Sequence, residues 1–284
     1  MELTFANVAT FSAVLLAGAF AAWWRSLKAS NERDWRADVA RLATAELDGD
    51  RVTVRNVRNF TYRGIDDFDE QWEERTFDLA RLNGLDVFFI GWGAPLINHT
   101  IMSWSFAGSS SMDVQRLAIS VEVRKRKGQK YSAWKAFFRQ YELVYVAADE
   151  SDVIKLRTNF RREQVTLYRV RTSQAAARAL LVDYLGAMNL IARQPLWYNA
   201  LLANCTTVIR DRVIHAGGKL RLSWRLFANA YLPELLYREG TIDTSRPFAE
   251  LKALSHINAR ARAVRPGEDF SAKIREGLPL PPLR

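Results

Sequence analysis

His99-Thr100-Ile101-Met102-Ser103-Trp104-Ser105-Phe106 and, after a short break, Val114-Gln115-Arg116-Leu117-Ala118-Ile119-Ser120-Val121-Glu122-Val123-Arg124 decide how this chain is read. Both stretches are rich in aromatic and β-branched residues, and Gly108-Ser109-Ser110-Ser111 between them is a turn signal, so the pair is predicted as an antiparallel hairpin. Side chains alternate along a strand. His99, Ile101, Ser103 and Ser105 therefore share one side, and Thr100, Met102, Trp104 and Phe106 the other. On the second strand Leu117, Ile119, Val121 and Val123 form an apolar face, leaving Ala118, Ser120, Glu122 and Arg124 opposite. A turn centred near residue 110 then sets His99 against Ser120 or Glu122. A carboxylate there can orient an imidazole and stabilise its cation. Two plainer readings stand beside this: His99 capping a strand on a backbone carbonyl, and Glu122 facing solvent beside Arg124 or Lys125.

Working outward, Leu85 to Ile90 is an apolar run expected as a buried strand, broken by Gly91, Gly93 and Pro95. Upstream, Arg51-Val52-Thr53-Val54-Arg55 alternates as a strand, Glu32 to Leu47 is predicted as an amphipathic helix, and 66–74 as an acidic loop. Downstream, 132–139 is expected as a short helix, with strands at 141–147, 153–158 and 165–170. A long helix over 173–192 carries Ala177, Leu180, Leu181, Tyr184 and Met188 on one face. Further helices are expected over 205–215, around 232–238 and over 248–264, the last followed by a Pro-rich tail. The domain reading is an anchor over 1–25, a catalytic domain over 26–265 and a tail over 266–284.

Asn204-Cys205-Thr206-Thr207 holds the single cysteine, at the start of a predicted helix after the aromatic loop Pro195-Leu196-Trp197-Tyr198-Asn199. One cysteine excludes an intramolecular disulfide, leaving a small buried hydrophobe or a reactive thiol. Free N–H groups and the positive dipole end of a helix favour thiolate. The chain has three histidines to act as a base. His215 lies ten residues along the same helix, about 15 Å away, and suits the helix C-terminus; His256 sits in a polar helical stretch. His99 is left, giving Cys205, His99 and Glu122 as the candidate catalytic set. Asn204 and Thr206 flank the helix N-terminus where an oxyanion would be held, and Trp197 and Tyr198 either line a substrate groove or pack in the core.

With 41 Lys+Arg against 31 Asp+Glu the chain carries +10, which favours anionic surfaces. No zinc-type Cys/His spacing, phosphate loop or nucleic-acid module is present, so no metal, cofactor or nucleic acid is expected and membrane phospholipid is the preferred anion. From Leu3 to Trp24 run 22 uncharged residues, enough to span about 30 Å of hydrocarbon, with Trp23-Trp24 placed as an interfacial belt. A cleavable signal would need a basic n-region, and none precedes this run. Arg25, Lys28, Arg33 and Arg36 after it argue for a cytoplasmic flank, yet long domains translocate despite such charges, so both orientations stay open.

Asn98-His99-Thr100, the 119–124 strand, Phe137-Phe138-Arg139-Gln140-Tyr141-Glu142-Leu143-Val144-Tyr145-Val146, residues 152–157 and Trp197-Tyr198-Asn199-Ala200…Asn204-Cys205-Thr206-Thr207 together resemble the Lnb N-terminal periplasmic domain family over about residues 30 to 265. That resemblance implies an α+β, permuted papain-like fold, an antiparallel sheet packed against helices with the histidine strand before the cysteine helix. It implies a Cys205–His99 pair in a thiol-dependent acyltransferase, a phospholipid donor, a lipoprotein acceptor, and a periplasmic domain on the bacterial inner membrane. Relatives of the permuted core also include amidases and peptidases, so a cell-wall hydrolase stays open, as does a non-catalytic tethered module.

Overall fold

The computed structural model describes residues 5–108, 113–132, 134–199, 205–215, 223–226 and 228–279, and only the backbone of 5–9, 137 and 205–208. Ten strands are described: β1 (Thr44–Asp48), β2 (Arg51–Arg58), β3 (Thr61–Tyr62), β4 (Phe68–Asp69), β5 (Trp72–Asp78), β6 (Leu82–Gly91), β7 (Asn98–Ala107), β8 (Val114–Arg124), β9 (Glu142–Ala148) and β10 (Gln164–Arg169). The helices are α1 (Phe5–Ser26), α2 (Glu150–Lys155), α3 (Gln174–Arg193), α4 (Cys205–His215), α5 (Leu232–Arg238), α6 (Phe248–Ser255), α7 (Asn258–Arg262) and α8 (Phe270–Lys273). The main sheet runs β1-β2-β9-β8-β7-β6-β10, with β5 also on β2 and with β3 and β4 pairing separately. It was expected to be antiparallel; a single parallel pairing, Arg58 with Ala148, makes it mixed.

Alternation along the strands supplies two cores. Val87, Phe89, Met102, Trp104, Ile119 and Tyr145 face α3, α4 and α5. Phe88, Ile90, Ile101, Ala118, Val144 and Leu167 face the side covered by α2, α7 and α8. The hairpin has the predicted register, Ile101 opposite Ser120 and Ala107 opposite Val114, although the turn itself, 109–112, lies outside the described residues. Helix α3 starts on Ser173, whose side chain accepts from Ala176 N–H, and buries Ala177, Leu181, Tyr184 and Met188 as their spacing predicts.

Four expectations are corrected. Residues 32–47 are not a helix. Only Ala37–Val39 make a 3₁₀ turn, and Thr44–Asp48 are strand. Their apolar residues serve both sides of the sheet, Val39 one core and Ala43 the other, as an extended chain rounding an edge requires. The acidic stretch 66–74 contributes β4 and the start of β5, where Glu74 meets Arg55 at 2.9 Å. Residues 153–158 are helical, because Asp149 caps α2 by accepting from Ser151 N–H and the acidic first turn suits a helix N-terminus. Beyond α2 the chain widens into a π turn, Leu156–Phe160. Residues 266–279, read as a Pro-rich tail, include α8 and send Arg275 into a buried network with Asp86 and Glu150.

Candidate active site

His99 is the second residue of β7, and the strand start is pinned from the far end of the chain. Asn98 N–H donates to Asn229 Oδ1, and Asn229 Nδ2 donates back to Asn98 O, both at 2.6 Å. From this anchored position the imidazole Nε2 lies 2.7 Å from Ser120 Oγ on the neighbouring strand. Ser120 Oγ donates to Glu122 Oε1 at 2.8 Å. A serine hydroxyl has one hydrogen, so with that hydrogen on Glu122 it must accept from His99, which assigns the Nε2–H tautomer and leaves Nδ1 as the basic nitrogen. The chain ends on Arg157, whose Nη2 donates to Glu122 Oε1 at 2.9 Å and whose Nη1 donates to Glu163 at 3.1 Å. The π turn brings Arg157 to this place; such widened turns often accompany functional sites.

Burial and the Arg157 cation push the His99 pKa down to about 3, against a smaller opposing pull from Glu122. Glu122 is held well below the carboxylate range by Arg157 and then His99, which outweigh its desolvation. The resting arrangement is therefore a neutral imidazole aligned by a hydroxyl and an anchored carboxylate.

A cavity of about 300 Å³ opens at the end of β7. His99 and Glu122 enter it from one side of the sheet and Val121, Val123 and Tyr198 from the other, with Lys125 and Arg161 on its wall. Tyr198 is brought there because residues 196–198 extend the sheet. Leu143 N–H donates to Leu196 O at 2.8 Å, and Tyr198 N–H to Tyr141 O at 2.9 Å. Trp197, half-buried, bridges Glu142 through its backbone and is not among the described residues of the cavity wall.

Cys205 is the first residue of α4, as the sequence predicts for a helix-start thiol. Its side chain and that of Thr206 lie outside the described residues, as does Asn204. Helix α4 packs with Ile209 in the core shared with α3, opposite to the side His99 faces within β7. The other histidines stand apart from this cavity. His215 is exposed near Asp183 at 3.9 Å, and His256 is exposed at the end of α6. Among the described residues no three His, Cys, Asp or Glu side chains converge as metal ligands.

Sequence reasoning found His99, Ser120 and Glu122 through strand parity but missed Arg157, because its segment read as a strand. The Asp149 cap and the acids at 150 and 152 are the signal that would have turned it into a helix.

The model of the family described as the Lnb N-terminal periplasmic domain matches residues 68–237, which runs from β4 through α5 and includes the hairpin, the His99 cavity and α4. No curated protein and no solved structure matches the chain. The match covers more than half of the 284 residues, and the chain belongs to the Lnb N-terminal periplasmic domain family.

Proposed function

We propose that this protein is a membrane-anchored cysteine acyltransferase with Cys205 as nucleophile and His99 as base. The observation that carries this reading is the Glu122–Ser120–His99 alignment, which presents Nδ1 as a free base beside a cavity in the family-matched region. His99 Nδ1 takes the Sγ–H proton, and the thiolate attacks an ester carbonyl of a phospholipid. A thiolate beside Nδ1 raises the imidazole pKa from its resting value, since an opposite charge favours the protonated ring. When the C–O bond breaks, His99 returns the proton to the leaving lysolipid oxygen and an acyl-thioester remains on Cys205. An amine, such as a lipoprotein N-terminus, then attacks the thioester; its N–C bond forms as the C–S bond breaks, and its proton passes to His99.

Free N–H groups in the first turn of α4 suit the oxyanion, each such donor contributing on the order of 10²–10³ in rate. Lys125 and Arg161 on the cavity wall favour an anionic headgroup. The apolar α1, with Phe11, Leu16 and Phe20 exposed, is the anchor of the reading, and the permuted papain-like arrangement is its fold counterpart. The family's periplasmic description supports a periplasmic site on the inner membrane.

Intact-protein mass measured after incubation with phospholipid vesicles tests the reaction. A mass increase of one acyl group on the wild type, absent from Cys205→Ser and discharged by an added amine, is expected. An unmodified wild type that instead releases products from a peptide amide would overturn it in favour of hydrolysis.

A further inference from the structure

The sheet side opposite His99 holds a second cavity of about 260 Å³, between β6, β7, α3, α4 and α5. Its wall includes Val87, Phe89, Met102, Leu180, Ile209 and Val213. Thr100 also lines it, 1 % exposed, and its Oγ1 atom has no hydrogen-bond partner among the described residues. Burying a hydroxyl without a partner is unfavourable, and the exception calls for an explanation. An apolar cavity of about 150 Å³ stays dry and takes up benzene, so this larger one suits a longer apolar group.

We infer that this cavity receives the acyl chain of the substrate, with the Thr100 hydroxyl donating to the carbonyl oxygen at its head. This deepens the acyl-transfer reading and rests on it. Two features point to the occupant. Ile209 and Val213 lie four and eight residues along α4 from Cys205, so the cavity borders the helix that carries the proposed nucleophile. Thr100 pairs with Phe89, and the wall continues along β6 to Leu85, four residues or ~13 Å away, which gives an elongated space. Thr100 thus stands at the His99 end of the cavity, followed by an apolar middle, with Arg171, Thr172 and Thr241 at the far end near Leu85.

The test is retention of radiolabelled dodecanoate by the full chain in cholate, a detergent without an acyl tail. Wild type and Cys205→Ala are expected to bind about one equivalent, since occupancy needs no covalent bond. Val213→Trp and Met102→Trp, which fill the cavity from different elements, are expected to bind about tenfold or more weakly, and Thr100→Val several-fold more weakly. Melting curves identify which filled variant is native. Failure of wild type to bind, or a native filled variant that binds as wild type does, overturns the inference. Dodecanoate bound normally by a protein that never forms a thioester would instead count against the proposed reaction and leave the cavity assignment standing.

Discussion

His99 is the base of the proposed reaction, and its environment has a consequence for stability. Its pKa in the folded protein is about 3, below the ordinary 6.5, so between those values the unfolded chain binds the extra proton. Stability therefore rises with pH through this window, is complete above about 6.5, and falls on acidification by at most about 1.4 kcal/mol per pH unit from this group. Urea melts from pH 7 to 4 check it: His99→Gln should flatten the slope, and an unchanged slope would refute the neutral buried ring. In the proposed reaction Glu122 acts through Ser120. Glu122→Gln keeps the shape but removes the charge, so the imidazolium formed in the reaction loses its support and kcat/KM for acyl transfer should fall by about 10²-fold. The same change leaves Arg157 with Glu163 as its remaining carboxylate and should cost about 2 kcal/mol. A stability loss with unaltered turnover would make Glu122 purely structural.

Elements were legible where one residue pattern had one job. The β7–β8 hairpin, β6 and β10 are legible because their alternate side chains fill the two cores, and α3 and α4 because each packs one face on a single core. Residues 32–47 misled because Val39 and Ala43 serve opposite cores, so their spacing imitates a helix stripe while the chain is extended. Residues 153–158 misled because Val153 and Ile154 have strand character, whereas the polar cap at Asp149 and the buried Asp152–Arg58 pair, at 2.8 Å, set the helix. The site follows the same division: strand parity set His99 against Ser120 and Glu122, while Arg157 arrives by a tertiary route that no local pattern records. Helix α8 is the sharpest case. Arg275 lies 2.7 Å from Asp86 and 2.6 Å from Glu150, both fully buried carboxylates, in a segment whose prolines suggest a loose end. Arg275→Ala should cost about 3–5 kcal/mol, toward the lower end because Arg169 still holds Asp86 at 2.6 Å. Thermal unfolding measures it, and a loss below about 1 kcal/mol would show the network to be dispensable.

At the scale of the whole molecule, α1, the proposed anchor, is tied to the folded body at its C-terminal end. Arg139 donates to Trp24 O at 3.1 Å and stacks on the Trp24 ring at 4.4 Å, which fastens the end of α1 to the segment before β9. Asn31 Nδ2 reaches the carbonyls of Ile191 and Ala192 at the end of α3, so the chain leaving α1 is tied to the body twice. Trp92, Leu96, Ile97, Tyr131 and Trp134 are all exposed, Trp134 at 72 %, and Trp92, Ile97 and Tyr131 line the His99 cavity. Under the proposed function this exposed apolar rim is the surface that meets lipid. This predicts that a chain lacking residues 1–26 still sediments with phospholipid vesicles, weakly, through this rim. Adding Trp92→Ser and Trp134→Ser should then lower vesicle partitioning by about tenfold or more, because each ring contributes upward of 1 kcal/mol on entering the interface. Equal sedimentation of the truncated chain with and without the two substitutions would place the cavity mouth away from the bilayer, and the substrate would then have to leave the membrane to reach His99.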